Sequence, residues 1–245
     1  MTSPTMTDAE LATLLATQAG QLLLGLDRAE LGLKIGAEGD RLANTLLVEA
    51  LRRERPDDAL LSEEEKDNAE RLAHSRVWIV DPLDGTREFG ENRGDWAVHV
   101  GLSIDGVASV GAVALPGQCV TLSSGAPIAL AEGRNPPRLL VSRTRPAHEA
   151  VKVAEMLGAE LVPMGSAGAK AMAVVLGQAE IYLHSGGQYE WDNCAPAAVA
   201  AAHGLHVSRL DGSPLVYNRA DPYLPDLLIC RQEWAQPVFA ALAKI

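Results

Sequence analysis

Two aspartates three residues apart close the segment Trp78-Ile-Val-Asp-Pro-Leu-Asp-Gly-Thr86. The β-branched run at 77–80 predicts a buried strand, and Pro82 stiffens the turn that follows it. Carboxylates at Asp81 and Asp84 can then aim at one point, the arrangement that hard, oxygen-seeking cations such as Mg²⁺ bind. Gly85 and Thr86 fall at a predicted helix start, where free N–H groups suit a phosphate oxygen. Taken alone, these residues also describe an Asp-rich surface turn with a capping Thr. Leu60-Leu-Ser-Glu-Glu-Glu65 upstream and Glu190-Trp-Asp192 downstream favour the metal, because each sets carboxylates beside an apolar or aromatic residue at an element boundary.

Other residues have competing readings. Gly165-Ser-Ala-Gly-Ala-Lys170 lacks the G-K-[ST] ending of a nucleotide-binding P-loop, yet a Gly-rich lead into a helix suits an anion or a ribose hydroxyl. Lys170 reads equally as a ligand there or as an exposed helix lysine. His203 and His206 read as a solvated or capping pair, His99 as a satisfied core histidine, and Trp191 as a core indole that holds Asp192 in place. Cys119, Cys194 and Cys230 are odd in number and widely spaced, so neither a disulfide framework nor a zinc cage is expected.

The elements that must position these groups follow from periodicity. Thr7 and Glu10 form a capping-box signature ahead of a helix carrying Leu11, Leu14, Leu15, Leu22 and Leu23. A second helix runs to Pro56 and has Asp40 at its start. Strands are expected at 59–62 and 77–80, then a hairpin of 96–103 and 107–115 about Asp105-Gly106, with 119–123 alongside. The Gly-, Pro- and Ala-rich stretch 125–137 reads as a junction between two halves, 1–125 and 126–245, of one compact unit. Beyond it, 139–142, 181–184 and 227–230 read as strands, and 147–157, 167–176, 192–202 and 234–242 as helices. The mixture predicts layered α/β sheets.

Composition bounds the partners. The 245 residues are 47% hydrophobic and 22% charged, an ordinary globular balance. Lysines and arginines number 21 against 32 acids, a net charge of −11 that repels a nucleic-acid backbone. An anionic substrate would need the field inverted locally, which divalent metal does. The apolar stretch at 11–24 is interrupted by Thr13, Thr17, Gln18, Gly20 and Gln21, so neither signal peptide nor membrane span is expected and a cytoplasmic location is.

The three acidic motifs in this order resemble the lithium-sensitive, Mg²⁺-dependent phosphatase superfamily that includes the inositol monophosphatases. Arg87-Glu88-Phe89, Gly165–Lys170, Gly186-Gly-Gln-Tyr-Glu-Trp-Asp192 and Ser208-Arg-Leu-Asp-Gly-Ser-Pro-Leu-Val-Tyr217 are similar to its bacterial nucleotide-bisphosphate branch, which acts on 3'-phosphoadenosine 5'-phosphate. The resemblance implies a layered αβαβα sandwich, two to three Mg²⁺ ions and sensitivity to lithium. It implies metal ligation by Glu63, Asp81, the Leu83 carbonyl, Asp84 and Asp192, with Glu64 as the alternative to Glu63. Thr86 would orient the attacking water and Asp40 would accept from Thr86, making Asp40, Glu63 and Thr86 the catalytic set. The substrate would meet Gly85, Thr86, Arg87, Gly165, Ser166, Lys170, Glu190 and Arg209, with Arg143 a further cationic candidate for a second phosphate. The four acids and a phosphate dianion carry six negative charges, which about three Mg²⁺ would balance. A homodimer is compatible with the family. Inositol 1-phosphate or fructose 1,6-bisphosphate as substrate, and a catalytically silent phosphate sensor, are the competing functions.

Overall fold

The computed structural model describes residues 6–245. It opens with α1 (Asp8–Leu24), capped as its sequence predicts: the Thr7 hydroxyl accepts from the Glu10 N–H, and Glu10 accepts from the Thr7 N–H at 2.8 Å. A short helix, α2 (Arg28–Leu31), leads through one more turn into α3 (Ile35–Glu54). The second long helix therefore begins earlier than the apolar repeat suggests, and Asp40 is buried in its second turn instead of standing at its start. Gly36 and Gly39 interrupt that repeat for a packing reason. A Cβ on Gly36 would lie 2.9 Å from Thr86 Cγ2, and one on Gly39 would lie 3.1 Å from the Phe89 ring. The glycines let α3 rest directly on the turn that carries Thr86.

The first sheet has strands β1 (Ala59–Ser62), β2 (Arg76–Asp84), β3 (Ala97–Ile104), β4 (Val107–Leu115) and β5 (Val120–Ser123), in that order across the sheet. β1 runs parallel to β2 and the rest are antiparallel. The expected Asp105-Gly106 turn joins β3 and β4, with both residues at positive φ, 50° and 80°, as tight hairpins require. Helix α4 (Thr86–Gly90) starts where β2 ends.

After an irregular stretch come β6 (Arg138–Ser142), α5 (His148–Leu157), β7 (Glu160–Met164), α6 (Ala167–Val175), β8 (Ile181–Tyr189), α7 (Glu190–Ala202), β9 (His206–Ser208), β10 (Tyr223–Cys230) and α8 (Gln232–Leu242). The second sheet has the order β7-β6-β8-β10-β9, with β6 parallel to β7 and β8. β7 and β9 are the strands that periodicity does not reveal. Both lie on sheet edges; β7 has no fully buried residue and contains Pro163, and β9 is three residues long.

Contacts place these elements in five layers: α1 and α3, the first sheet, α6 and α7, the second sheet, then α5 and α8. This is the expected αβαβα sandwich. One apolar cluster fills the space between α1, α3 and the first sheet, with Leu15, Leu47, Trp78 and Val100. A second joins both sheets through the middle helices, with Val113, Met172, Tyr182 and Val199, and a third lies under α5 and α8. The acidic motifs meet where the ends of β1 and β2 come against the start of α7, at the border between the first sheet and the middle layer.

Candidate active site

The turn after β2 is built on an irregularity. Asp81 pairs with His99 and Asp84 with Ala97, so three steps along β2 match two along β3. Such a bulge re-aims the side chains that follow it. Asp81 Oδ1 accepts the Leu83 N–H at 3.0 Å, and the Leu83 carbonyl accepts the Thr86 hydroxyl at 3.1 Å. Gly85 has φ of +90°, and a Cβ there would meet Ser166 Cβ at 3.0 Å, so glycine is needed both for the turn and for the close approach of α6.

Four acids converge on this turn. Asp81 is fully buried, and burial followed by the charges of Asp84 and Glu63 pushes its carboxyl well above the ordinary range. Asp192, in the first turn of α7, accepts the Tyr189 N–H at 2.6 Å; burial and then Asp84 push it up to about 7. Glu63 leaves β1 facing Asp81 and Asp84, and is raised by burial and by Asp84. Glu65 turns away to Arg52 and Asn44. Asp84 differs from the other three. Burial works to raise it, but His99, the Gly168 N–H and Lys170 more than offset this and hold it below its ordinary value.

Asp40 and Thr86 meet across α3 and the turn. Thr86 Oγ1 is 3.4 Å from Asp40 Oδ2, while Asp40 Oδ1 is buried without a hydrogen-bond partner. Burial, then Glu64 and Glu63, push the Asp40 carboxyl up to about 7. A buried acid in that range beside a hydroxyl can take up a proton at neutral pH.

The other expected site residues divide. Gly165 and Ser166 lie against the turn, but the N–H groups at the start of α6 are not free for an anion. Ala167 donates to Asp84 Oδ1 at 3.1 Å and Gly168 to Oδ2 at 2.6 Å. Lys170 is no exposed helix lysine: it is 4% exposed, donates to the Gly165 carbonyl and to the Ser166 carbonyl at 2.7 Å, and is pushed down by burial to about 8. It holds the loop from beneath. Glu190 is fully buried and its two oxygens accept the Asn218 and Arg219 N–H groups at 2.7 and 2.8 Å, which spends the carboxylate inside the fold. Arg209 is tied bidentately to Asp226, both contacts at 2.7 Å. Arg87 is exposed and pairs with Glu91 one turn on. Trp191 is half-buried: it packs against the apolar cluster of Ile79, Cys194 and Leu224 as expected, but its indole also stacks on exposed Tyr189 at 4.9 Å, so it sits at the edge of the core. His203 caps α7 through Val199 O and His206 contacts Ser208, and among the described residues neither belongs to a metal grouping.

His99 and Arg145 were missed. His99 is buried as expected but not satisfied, since Nε2 has no hydrogen-bond partner and lies 3.1 Å from Asp84 Oδ2. Among the described residues Asp81, Asp84 and His99 form the one group able to hold a metal by proximity of ligand atoms. A strand histidine directly opposite the first aspartate was the available signal. Arg145 lines a cavity of about 410 Å³ together with Asp84, Gly85, Arg87, Arg143 and Gly165.

Clustered acids pushed above their ordinary range, with orphaned atoms on Asp40 and His99, are what a divalent cation would relieve, so the residues present fit a metal. A sequence profile of the Inositol monophosphatase family matches residues 12–243. The chain is 50% identical to the 3'-phosphoadenosine 5'-phosphate phosphatase of Mycobacterium leprae, over 98% of this chain and 95% of that one. It is 33% identical to the 3'(2'),5'-bisphosphate nucleotidase CysQ of Escherichia coli K12, over 76% of this chain and 80% of that one. The solved CysQ from Bacteroides thetaiotaomicron superposes with a TM-score of 0.78 at 25% identity, covering 93% of this chain and 98% of its own. With its layers, its acidic turn and these relatives in agreement, the chain belongs to the inositol monophosphatase family and is a phosphatase of it.

Proposed function

We propose that this chain is a Mg²⁺-dependent phosphatase that removes the 3'-phosphate of 3'-phosphoadenosine 5'-phosphate, giving AMP and phosphate, and that it serves sulfur assimilation in the cytoplasm, where its three free thiols stay reduced. The observation that carries the reading is an arginine-lined cavity opening directly beside the acidic turn. Glu63, Asp81, the Leu83 carbonyl, Asp84 and Asp192 would hold the ions. Bound there, they supply positive charge to the phosphate and acidity to the attacking water. Thr86 Oγ1 accepts a hydrogen bond from that water and relays its proton to Asp40 Oδ2, whose raised pKa suits it as base.

The second phosphate separates this substrate from inositol 1-phosphate, and the cavity offers it cations. Arg143 Nη2 bridges Glu88 and Glu91 at 3.0 and 2.8 Å, leaving a buried Nε without a partner. Arg145 has no ion pair among the described residues. Phosphate release from a substrate panel tests the reading. We expect kcat/KM for 3'-phosphoadenosine 5'-phosphate at least about tenfold above that for inositol 1-phosphate, roughly 1.4 kcal/mol. Arg145→Ala should raise KM for the nucleotide between about 5- and 30-fold, roughly 1–2 kcal/mol, without changing that for inositol 1-phosphate. Parity between substrates, or preference for inositol 1-phosphate or fructose 1,6-bisphosphate, refutes the nucleotide reading.

A further inference from the structure

We propose that His99 is a positioning residue of the metal centre, fixing the Asp84 carboxylate and the turn that carries Asp192 at one separation; this rests on the reading of Asp81, Asp84 and Asp192 as ligands. His99 is the third residue of β3, fully buried and opposite Asp81. Its Nδ1 is 3.0 Å from the carbonyl oxygen of Trp191, the residue before Asp192. Its Nε2 is 3.1 Å from Asp84 Oδ2. One rigid ring therefore touches two of the three elements that deliver ligands: the turn after β2, from the first sheet, and α7, from the middle layer; Glu63, after β1, is the ligand it does not reach.

Helix α6 closes over the same ring. A Cβ on Gly168 would stand 2.0 Å from Nε2, so the helix comes down on the imidazole as closely as glycine permits, and the Gly168 N–H grips Asp84 from there. The Nε2 contact has the length of a hydrogen bond but not its direction, and the nitrogen is left buried without a partner. An apolar residue at this inward-facing position would fill the core without that cost. What the imidazole adds is a polar span between two ligand-bearing elements, and outer partners of this kind set how firmly carboxylates hold an ion.

The test uses the full chain, stripped with chelator and titrated with MgCl₂ while thermal denaturation is followed. His99→Ala should raise the Mg²⁺ concentration for half-maximal stabilisation by about tenfold or more. His99→Gln keeps a donor near the Nε2 place and His99→Asn one near the Nδ1 place. Each retains one of the two contacts and should fall between parent and His99→Ala. Val100→Ala, a buried neighbour on β3, should lower Tm and leave the Mg²⁺ requirement as it is. His99 variants with the parent's Mg²⁺ requirement, whatever their Tm, would overturn the proposal. So would an equal shift in Val100→Ala, or insolubility of all three His99 variants, since either shows the residue acting through the core. A parent that Mg²⁺ does not stabilise is a different result, and overturns the metal reading itself.

Discussion

Replacing Asp192 with Asn should make the chelated protein more stable and deprive it of stabilisation by metal. The Asp192 carboxyl is buried beside Asp84 and raised from an ordinary 3.8 to about 7. At about 1.36 kcal/mol per pH unit, keeping it ionised costs the folded state about 4 kcal/mol at pH 8. Neighbouring carboxylates absorb part of this by protonating in response, so a gain of about 2–3 kcal/mol is expected, or roughly 4–12 °C in Tm for a chain of this size. The amide oxygen of Asn can still accept the Tyr189 N–H, which keeps the start of α7 intact. An acid whose folded pKa is raised destabilises the fold at pH values above that pKa, and the cost fades as pH falls from about 7 towards 3.8. The difference between variant and parent should therefore be largest at pH 8 and vanish near pH 4. Mg²⁺ at about a thousand times its Kd should reverse the ranking, since the parent then gains about 4.1 kcal/mol, more than the variant's advantage. Thermal denaturation in EDTA across that pH range is the assay. A variant less stable than the parent at pH 8, or a difference that does not change with pH, would refute the electrostatic account.

Thr86→Ala should lower kcat while leaving the Mg²⁺ requirement unchanged, because the hydroxyl is assigned to water and not to an ion; loss of metal affinity by calorimetry would contradict it. Gly168→Ala should cost about 3 kcal/mol or more, since its Cβ would fall 2.0 Å from His99 Nε2, and a parent-like Tm would show that the ring can yield. Thr7→Ala should cost about 1 kcal/mol through loss of the capping box, with kinetics unaffected; altered kinetics would tie α1 to the site.

The elements legible in the sequence were those with strong periodicity or turn chemistry. The Thr7 cap, the Asp105-Gly106 hairpin, β1 and the long helices of the second half all fall close to where their patterns put them. Helix starts were less legible, because Gly36 and Gly39 break the apolar repeat of α3 in order to approach Thr86 and Phe89. The acidic motifs could be read because metal-suited carboxylates stand at strand ends with short spacings. What surrounds them could not, since Glu190, Lys170 and Arg209 acquire their partners from segments remote in sequence. A charge looks the same in a sequence whether it faces substrate or, like Glu190, closes on the N–H groups of Asn218 and Arg219.

The hold of α6 on Asp84 bears on the order in which this protein is assembled. A cluster of acids is ordinarily an obstacle to folding, and many small metal proteins cannot fold until their ion arrives. Here the positive end of a helix dipole and two backbone donors already compensate the most central carboxylate. On that ground we expect the chain to complete its fold first and load ions afterwards. Metal occupancy then becomes a reversible equilibrium of the finished protein, and the free Mg²⁺ concentration around it can govern how much of the population is ready to act.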